Sequence, residues 1–227
     1  FPLLRALAIR AGRLPDVPES IPTAELLATA LVTLNRHKKM LSELGALFAS
    51  AGFSLYLVGG SVRDAVLGRA GTDLDFTTDA RPEQVQELVT GWAEAIWDTG
   101  IAFGTIGVAR KGQRVEITTF RSDSYDQQTR NPEVVFGDSL RGDLVRRDFT
   151  VNAMAVKIGP DGPGEFCDPL DGLEAPRTGV LDTPSAPEIS FGDAPLRMLR
   201  AARFVSQLGF AVAPRVGKAL TEMAEQL

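Results

Sequence analysis

Leu57-Val-Gly-Gly-Ser-Val-Arg-Asp64 and, a few residues on, Asp73-Leu-Asp-Phe-Thr-Thr78 decide how this chain is read. The first stretch leaves the β-prone segment Phe53-Ser-Leu-Tyr-Leu-Val58, crosses two glycines and enters a short helical pattern, Ser61 to Leu67, closed by Gly68. Glycine allows a backbone to approach a ligand closely, and the N–H groups and dipole of a helix N-terminus attract phosphate. The spacing is neither that of a P-loop nor that of a dinucleotide fingerprint, and alone it reads as an ordinary tight turn capped by Ser61. The second stretch changes that balance. In a strand, Asp73, Asp75 and Thr77 share one face while Leu74 and Phe76 share the other. Two carboxylates side by side repel unless a cation lies between them, and magnesium prefers carboxylate oxygens together with waters and substrate phosphates. A solvated strand edge is the competing reading, weakened by the phosphate-type turn just before it.

Three further groups lie outward from this pair. Residues 103–110 and 113–120 are β-rich and joined by Lys111-Gly112, which signals a hairpin. Within Arg114-Val-Glu-Ile-Thr-Thr-Phe120, Glu116 points away from Val115 and Ile117, so it is either a third carboxylate or an exposed glutamate. In Gly142-Asp-Leu-Val-Arg-Arg-Asp148, the adjacent Arg147 and Asp148 suit a phosphate and a sugar hydroxyl, or an internal ion pair. Arg197, Arg200 and Arg203 recur at every third position and line one helix flank, with Leu196, Leu199, Ala202 and Phe204 expected to pack elsewhere. Such a flank suits a polyphosphate or a base edge, or is simply solvated.

Composition narrows the chemistry. The 227 residues are 44% hydrophobic and 23% charged, values of an ordinary folded protein. The one cysteine, Cys167, excludes an internal disulfide and fits a reducing, cytoplasmic setting; with His37 as the single histidine, cysteine–histidine zinc sites and Ser-His-Asp chemistry are excluded or improbable. No apolar run approaches a membrane span. The net charge of -5 excludes a broadly basic nucleic-acid coat, so any such contact is local. The chain starts at Phe1 and reaches Leu227 still in a helical pattern, so it reads as a piece of a longer protein; its first residues lack a signal-peptide cleavage site.

The order of patterns predicts an α+β fold with a mixed sheet and flanking helices. Residues 1–22 read as an extended lead. A head covers 23–158, beginning with one helix over 24–51 capped by Thr23 and ended by Gly52. A helix from Pro82 follows the Asp-x-Asp strand, 121–132 read as a polar loop, and 139–158 hold a helix and a strand. The Gly- and Pro-rich residues 159–192 read as a connecting region, and an all-helical segment begins at 193.

Taken in order, LVGGSVRDAVLGR (57–69), DLDFTT (73–78), RVEITTFR (114–121), GDLVRRDFTVNAMA (142–155), DPLDG (168–172) and PLRMLRAARFVSQLGF (195–210) resemble the class II tRNA nucleotidyltransferase and bacterial poly(A) polymerase family. The resemblance implies a polymerase-β-like nucleotidyltransferase head and the start of a helical neck. It implies magnesium held by Asp73 and Asp75 with Glu116 as third carboxylate. Gly59, Gly60 and Ser61 would cradle a triphosphate with Arg63 nearby, and Arg147 and Asp148 would meet the ribose. Arg197 would read the base, while Arg200 and Arg203 would serve phosphate or structural support. The implied partners are tRNA, CTP and ATP, the reaction being CMP and AMP addition to a tRNA 3′ end; poly(A) tailing and a nucleotide-binding module without turnover are the alternatives. One position departs from the pattern. The family's acidic residue three before the base-reading arginine is Ala194 here, and Asp193 is rotated from it by about 100° on a helix. Ala194 is then either an introduced substitution or the mark of a different base selection, with metal binding intact.

Overall fold

The computed structural model describes residues 21–69, 71–124 and 133–227; residues 1–20 of the lead expected over 1–22, and 125–132 of the loop expected over 121–132, lie outside the described residues. The chain opens with α1 (Thr23–Leu34) and α2 (Lys38–Ser50), joined by a 3-10 turn at Asn35–His37. This corrects the single helix expected there. Asn35 and His37 are weaker helix formers than the leucines and alanines around them, and the chain tightens at that point. Thr23 is already helical, and Pro22 occupies the cap position without a side-chain hydrogen bond.

Then follow β1 (Leu55–Val58), α3 (Gly60–Val66), β2 (Asp73–Thr78), α4 (Pro82–Val89), β3 (Ala95–Trp97), β4 (Thr105–Arg110) and β5 (Gln113–Thr119). The β4–β5 hairpin turns at Lys111 and Gly112, whose φ angles are +49° and +76°, the positive pair that a two-residue turn needs. After it come β6 (Arg121–Ser124) and β7 (Glu133–Phe136), which pair with each other, so the expected polar loop begins as a strand. The remaining elements are α5 (Leu140–Val145), β8 (Ala155–Gly159), β9 (Gly162–Cys167), α6 (Glu174–Thr178), β10 (Val180–Leu181), α7 (Pro187–Asp193), α8 (Leu196–Leu208), β11 (Ala211–Val212) and α9 (Pro214–Glu222).

Seven strands form one mixed sheet in the order β3-β4-β5-β2-β1-β8-β9. Only β2 and β5 run parallel, and their register sets Asp73 beside Arg114 and Asp75 beside Glu116. The alternation read from the sequence holds on both strands. Leu74, Phe76, Val115 and Ile117 are at most 3% exposed and pack with Leu41, Leu44, Phe48 and Val85 from α2 and α4. Each such side chain contributes about 1.5–3 kcal/mol by leaving water. The opposite face carries Asp73, Asp75, Arg114 and Glu116.

Part of the region expected to be connecting is sheet. β9 adds an edge strand to β8, with Pro163 opposite Ile158. A proline is tolerated on an edge, where the missing N–H interrupts no inner ladder. The helical end joins the same hydrophobic core through Phe191, Met198, Ala201, Phe204, Val216 and Leu220. Phe204 meets Phe149 edge-on, with centroids 5.6 Å apart, and so fixes α8 against the sheet half. Leu196 and Leu199 do not pack as expected; they are 68% and 43% exposed. The buried stripe of α8 runs through Met198, Ala201 and Phe204, which places both leucines off it.

Candidate functional site

Gly59 is where the site is assembled. It links β1 to α3 with φ +68°, and a Cβ there would lie 3.0 Å from Arg147 Nη1 and 3.9 Å from Asp75 Oδ2. The bare backbone thus passes between a guanidinium and a carboxylate. Asp75 itself is half-buried. Its carboxyl is pushed above the ordinary range by burial first and then by Glu116; Arg147 opposes this, Asp73 adds to it and Arg63 opposes again. Crowded negative charge of this kind is relieved by a cation.

Ser61 behaves differently from the expectation. Its hydroxyl donates to the Asp73 carbonyl at 3.1 Å and accepts from the Asp75 N–H at 3.0 Å. It braces the backbone of the Asp-x-Asp strand instead of opening toward a phosphate. Glu116 stands level with Asp75 across the parallel pair, as the carboxylate reading required. Yet among the described residues no three Asp, Glu, His or Cys side chains gather into a group that could hold a metal by themselves. The expected three-carboxylate cluster is therefore open.

Beyond the carboxylates, a cavity of about 660 Å³ runs between the sheet and α8. Seven arginine side chains line it against three carboxylates, Asp75, Glu116 and Asp148. In a chain of net charge -5, that is a local concentration of positive charge. Gly59, Gly60, Arg63, Arg147, Asp148, Arg197, Arg200 and Arg203, all singled out from the sequence, meet here, with Ala194 beside them.

The arginines are held in distinct ways. Arg63 grips Asp64 with two 2.9 Å bonds, donates to Asn152 Oδ1 at 2.9 Å and lies 5.3 Å from the Phe204 ring centroid. Arg147 donates to Asp143 Oδ2 at 2.9 Å, while its Nε is buried with no partner. Asp143 is wholly buried and also accepts from Arg146 at 2.8 Å. Burial alone raises its pKa, but Arg147 and Arg146 outweigh that and hold it below the ordinary range. Asp148 accepts from Asn152 and from the Phe149 N–H, and its other oxygen takes a 2.6 Å bond from Arg200. Arg197 donates to Ser190 Oγ at 2.9 Å and to the Arg146 carbonyl at 2.6 Å. Neither of these partners carries a charge. Arg203, exposed, reaches Gln207 at 3.3 Å.

Sequence reasoning passed over Asn152, Asp143 and Ser190 as functional residues. Asn152 lies inside the quoted RRDFTVNA run, and its position after the Arg-Arg-Asp was the available signal. Asp143 stands three and four residues before Arg146 and Arg147, the spacing of a helical ion pair, and that was its signal; Ser190 acts through Arg197 seven residues on, and no local pattern marks it.

This combination of a glycine turn, an Asp-x-Asp strand and an arginine-lined cavity is that of a nucleotidyltransferase head. Residues 55–182 match the poly(A) polymerase head domain, and the chain belongs to that family. It is 44% identical over 177 residues to the CCA-adding enzyme of Geobacillus stearothermophilus, a match covering 78% of this chain and 42% of that relative. The Bacillus stearothermophilus CCA-adding enzyme in complex with CTP superposes with a TM-score of 0.68 at 36% identity, covering 88% of this chain and 44% of the other. A tRNA nucleotidyltransferase complexed with a primer tRNA and an incoming ATP analog gives 0.68 at 30% identity, over 81% and 50%. The chain spans about two fifths of the length of the curated relatives it matches, 42% in the first case. Among the described residues no helix is long and apolar enough to cross a membrane.

Proposed function

We propose that this chain carries the catalytic head of a template-independent RNA nucleotidyltransferase that adds CMP and AMP, from CTP and ATP, to the 3′ end of tRNA. The observation that carries the reading is the cavity in which Asp75 and Glu116 face Arg147 and Arg197 across the Gly59 turn. A triphosphate needs several fixed cations, and a nucleotide needs a ribose and a base contact; the wall of the cavity offers both. The relatives whose structures hold CTP and a tRNA with an ATP analog support the same reading.

In the reaction, an RNA 3′-oxygen forms a bond to the α-phosphorus as the bond from that phosphorus to the β-phosphate bridge breaks. Pyrophosphate leaves, and the hydroxyl proton passes to solvent. Little covalent chemistry falls to the protein, so positioning and charge neutralisation dominate. Gly59 and Gly60 leave room for the phosphates, and Arg63 and Arg147 face them. Asp148, held by Arg200 and Asn152, presents its carboxylate at the ribose position. Arg197, anchored by Ser190 and the Arg146 carbonyl, presents its remaining donors to the base; Arg203 lies further out along the same wall. Asp73 and Asp75 would hold magnesium, whose preference for one or two carboxylates completed by water and phosphate fits an open donor set. Bound there, the ion would neutralise charge developing on the phosphoryl oxygens.

The test is incorporation of labelled CTP and ATP into tRNA lacking its 3′ CCA. Ordered CMP and AMP addition supports the reading; tailing with AMP alone would replace it with poly(A) synthesis, the second activity that the family's description covers. The same assay addresses Ala194. No carboxylate at that position pairs with Arg197, so Ala194→Asp is expected to sharpen the preference for CTP and ATP over GTP and UTP by about tenfold, the worth of one charged hydrogen bond. Equal selectivity in both proteins would remove Ala194 from base choice.

A further inference from the structure

A second cavity, of about 650 Å³, opens on the other side of the same carboxylates and is lined by Trp97, Ala109 and Arg114 together with Asp73, Asp75 and Glu116. Strand register places its parts. Trp97 on β3 is opposite Gly107 on β4, Gly107 is opposite Glu116 on β5, and Glu116 is level with Asp75 on β2. Cross-strand partners point to the same face, so these positions form one row across the sheet. A parallel row sets Ala109 opposite Arg114 and Arg114 level with Asp73.

Trp97 leans along its row. A Cβ on Gly107 would fall 2.0 Å from both Cε2 and Nε1 of the indole, so the ring rests directly on the glycine backbone. It is only half-buried there, about two strand spacings, or ~10 Å, from Asp75. Arg114 is exposed, and no hydrogen bond or ion pair engages it among the described residues.

We propose that this second cavity is where the acceptor RNA lays its 3′-terminal nucleotide, the base on Trp97 and its phosphate at Arg114. The inference rests on the transfer reaction above. An in-line displacement needs the attacking hydroxyl to arrive opposite the departing pyrophosphate. The two cavities meet at Asp75 and Glu116, and one of them holds the seven arginines suited to a triphosphate. The other has a single arginine, an aromatic surface and a low floor at Ala109, which suits a strand with one charge per residue. Stacking also tolerates any base. That is what an acceptor end requires when its last base changes with every addition.

The experiment measures KM separately for acceptor tRNA and for CTP. Trp97→Ala is expected to raise the acceptor KM at least about five-fold, the low end for a lost base stack, and to leave the CTP KM within about two-fold. Trp97→Phe, which keeps a ring, should recover most of the loss. Arg114→Ala should lower the salt dependence of the acceptor KM by about one phosphate contact. An unchanged acceptor KM, or a rise confined to CTP, overturns the assignment. Trp92 is the only other tryptophan, so in a Trp92→Phe background a short single-stranded RNA should quench the remaining fluorescence, and absence of quenching also overturns it. If the unmutated protein transfers no nucleotide, the reaction proposed above falls, and the quenching result alone decides the stacking site.

Discussion

Two groups of charges lie within one cavity's reach of each other and are built on opposite principles. On the open sheet face, Asp73, Asp75 and Glu116 stand side by side with like charge, and the Asp75 carboxyl is driven upward by its burial and by its neighbours. Along the cavity wall Asp148 is answered by Arg200, and behind it the wholly buried Asp143 is answered by Arg146 and Arg147. In the reaction proposed above, the first group would be a stress for a cation and a substrate to relieve. The second is a closed knot whose task is to hold arginines at fixed positions. In that proposed reaction the chemistry would fall to the unsatisfied group, and the satisfied one would hold the side chains that meet the nucleotide in place.

The sharpest way to break this comparison is Asp75→Asn. It should lower transfer by roughly a thousand-fold or more, since charge neutralisation at the phosphoryl group is lost. The metal-free protein should nevertheless become more stable, because a half-buried charge facing Glu116 and Asp73 has gone. A gain of about 1 kcal/mol corresponds to roughly 2–4 °C in Tm for a chain of this size. Calorimetry with chelator present reads the second effect. A lower Tm would mean that the carboxylates form a stabilising group after all.

Asp143→Asn probes the other side. Breaking a buried pair costs about 3–5 kcal/mol, because Arg146 and Arg147 lose their counter-charge. The pH dependence has a definite sign. Asp143 has its folded pKa held below the ordinary 3.8. Its stabilisation is therefore complete above that value and is lost as pH falls through the lower folded one. Denaturant titrations of both proteins should differ widely at pH 7 and converge below about pH 4, within the usual carboxylate range. A pH-independent difference would assign the cost to packing instead of charge.

The two groups also differ in how far they can be read from sequence. The open one was legible because strand alternation is local. Leu74 and Phe76 must go inward, so Asp73 and Asp75 must go outward, and the glycines before them mark the turn. What the local pattern left undecided was Glu116, whose place depends on β5 joining β2 in parallel at a particular register. The row from Asp75 to Trp97 depends on three successive pairings and is invisible in the linear chain. The closed knot was half-legible: Arg147 and Asp148 were noticed, but Asp143, four residues before Arg147, was not, because a carboxylate near a helix end reads as solvated until burial is known. β9 went unrecognised because Gly162-Pro-Gly-Glu-Phe-Cys167 has loop composition and becomes a strand only by having β8 to pair with. The exposure of Leu196 and Leu199 likewise reflects which stripe of α8 the tertiary core selected.

Ser61 joins the two groups' logic, being a satisfied residue inside the unsatisfied site, and gives the smallest predicted effect. Its hydroxyl ties α3 to β2 through the Asp73 carbonyl and the Asp75 N–H. Ser61→Ala removes two hydrogen bonds of about 1 kcal/mol each, so a stability loss of that order and a rate loss of about tenfold are expected. The diagnostic quantity is the magnesium concentration giving half-maximal rate. A brace that sets the two carboxylates should raise it and leave the CTP KM unchanged. A phosphate ligand would do the reverse. If the CTP KM alone rises in Ser61→Ala, the hydroxyl turns to the triphosphate when nucleotide arrives, and the boundary between satisfied and unsatisfied groups is redrawn through α3.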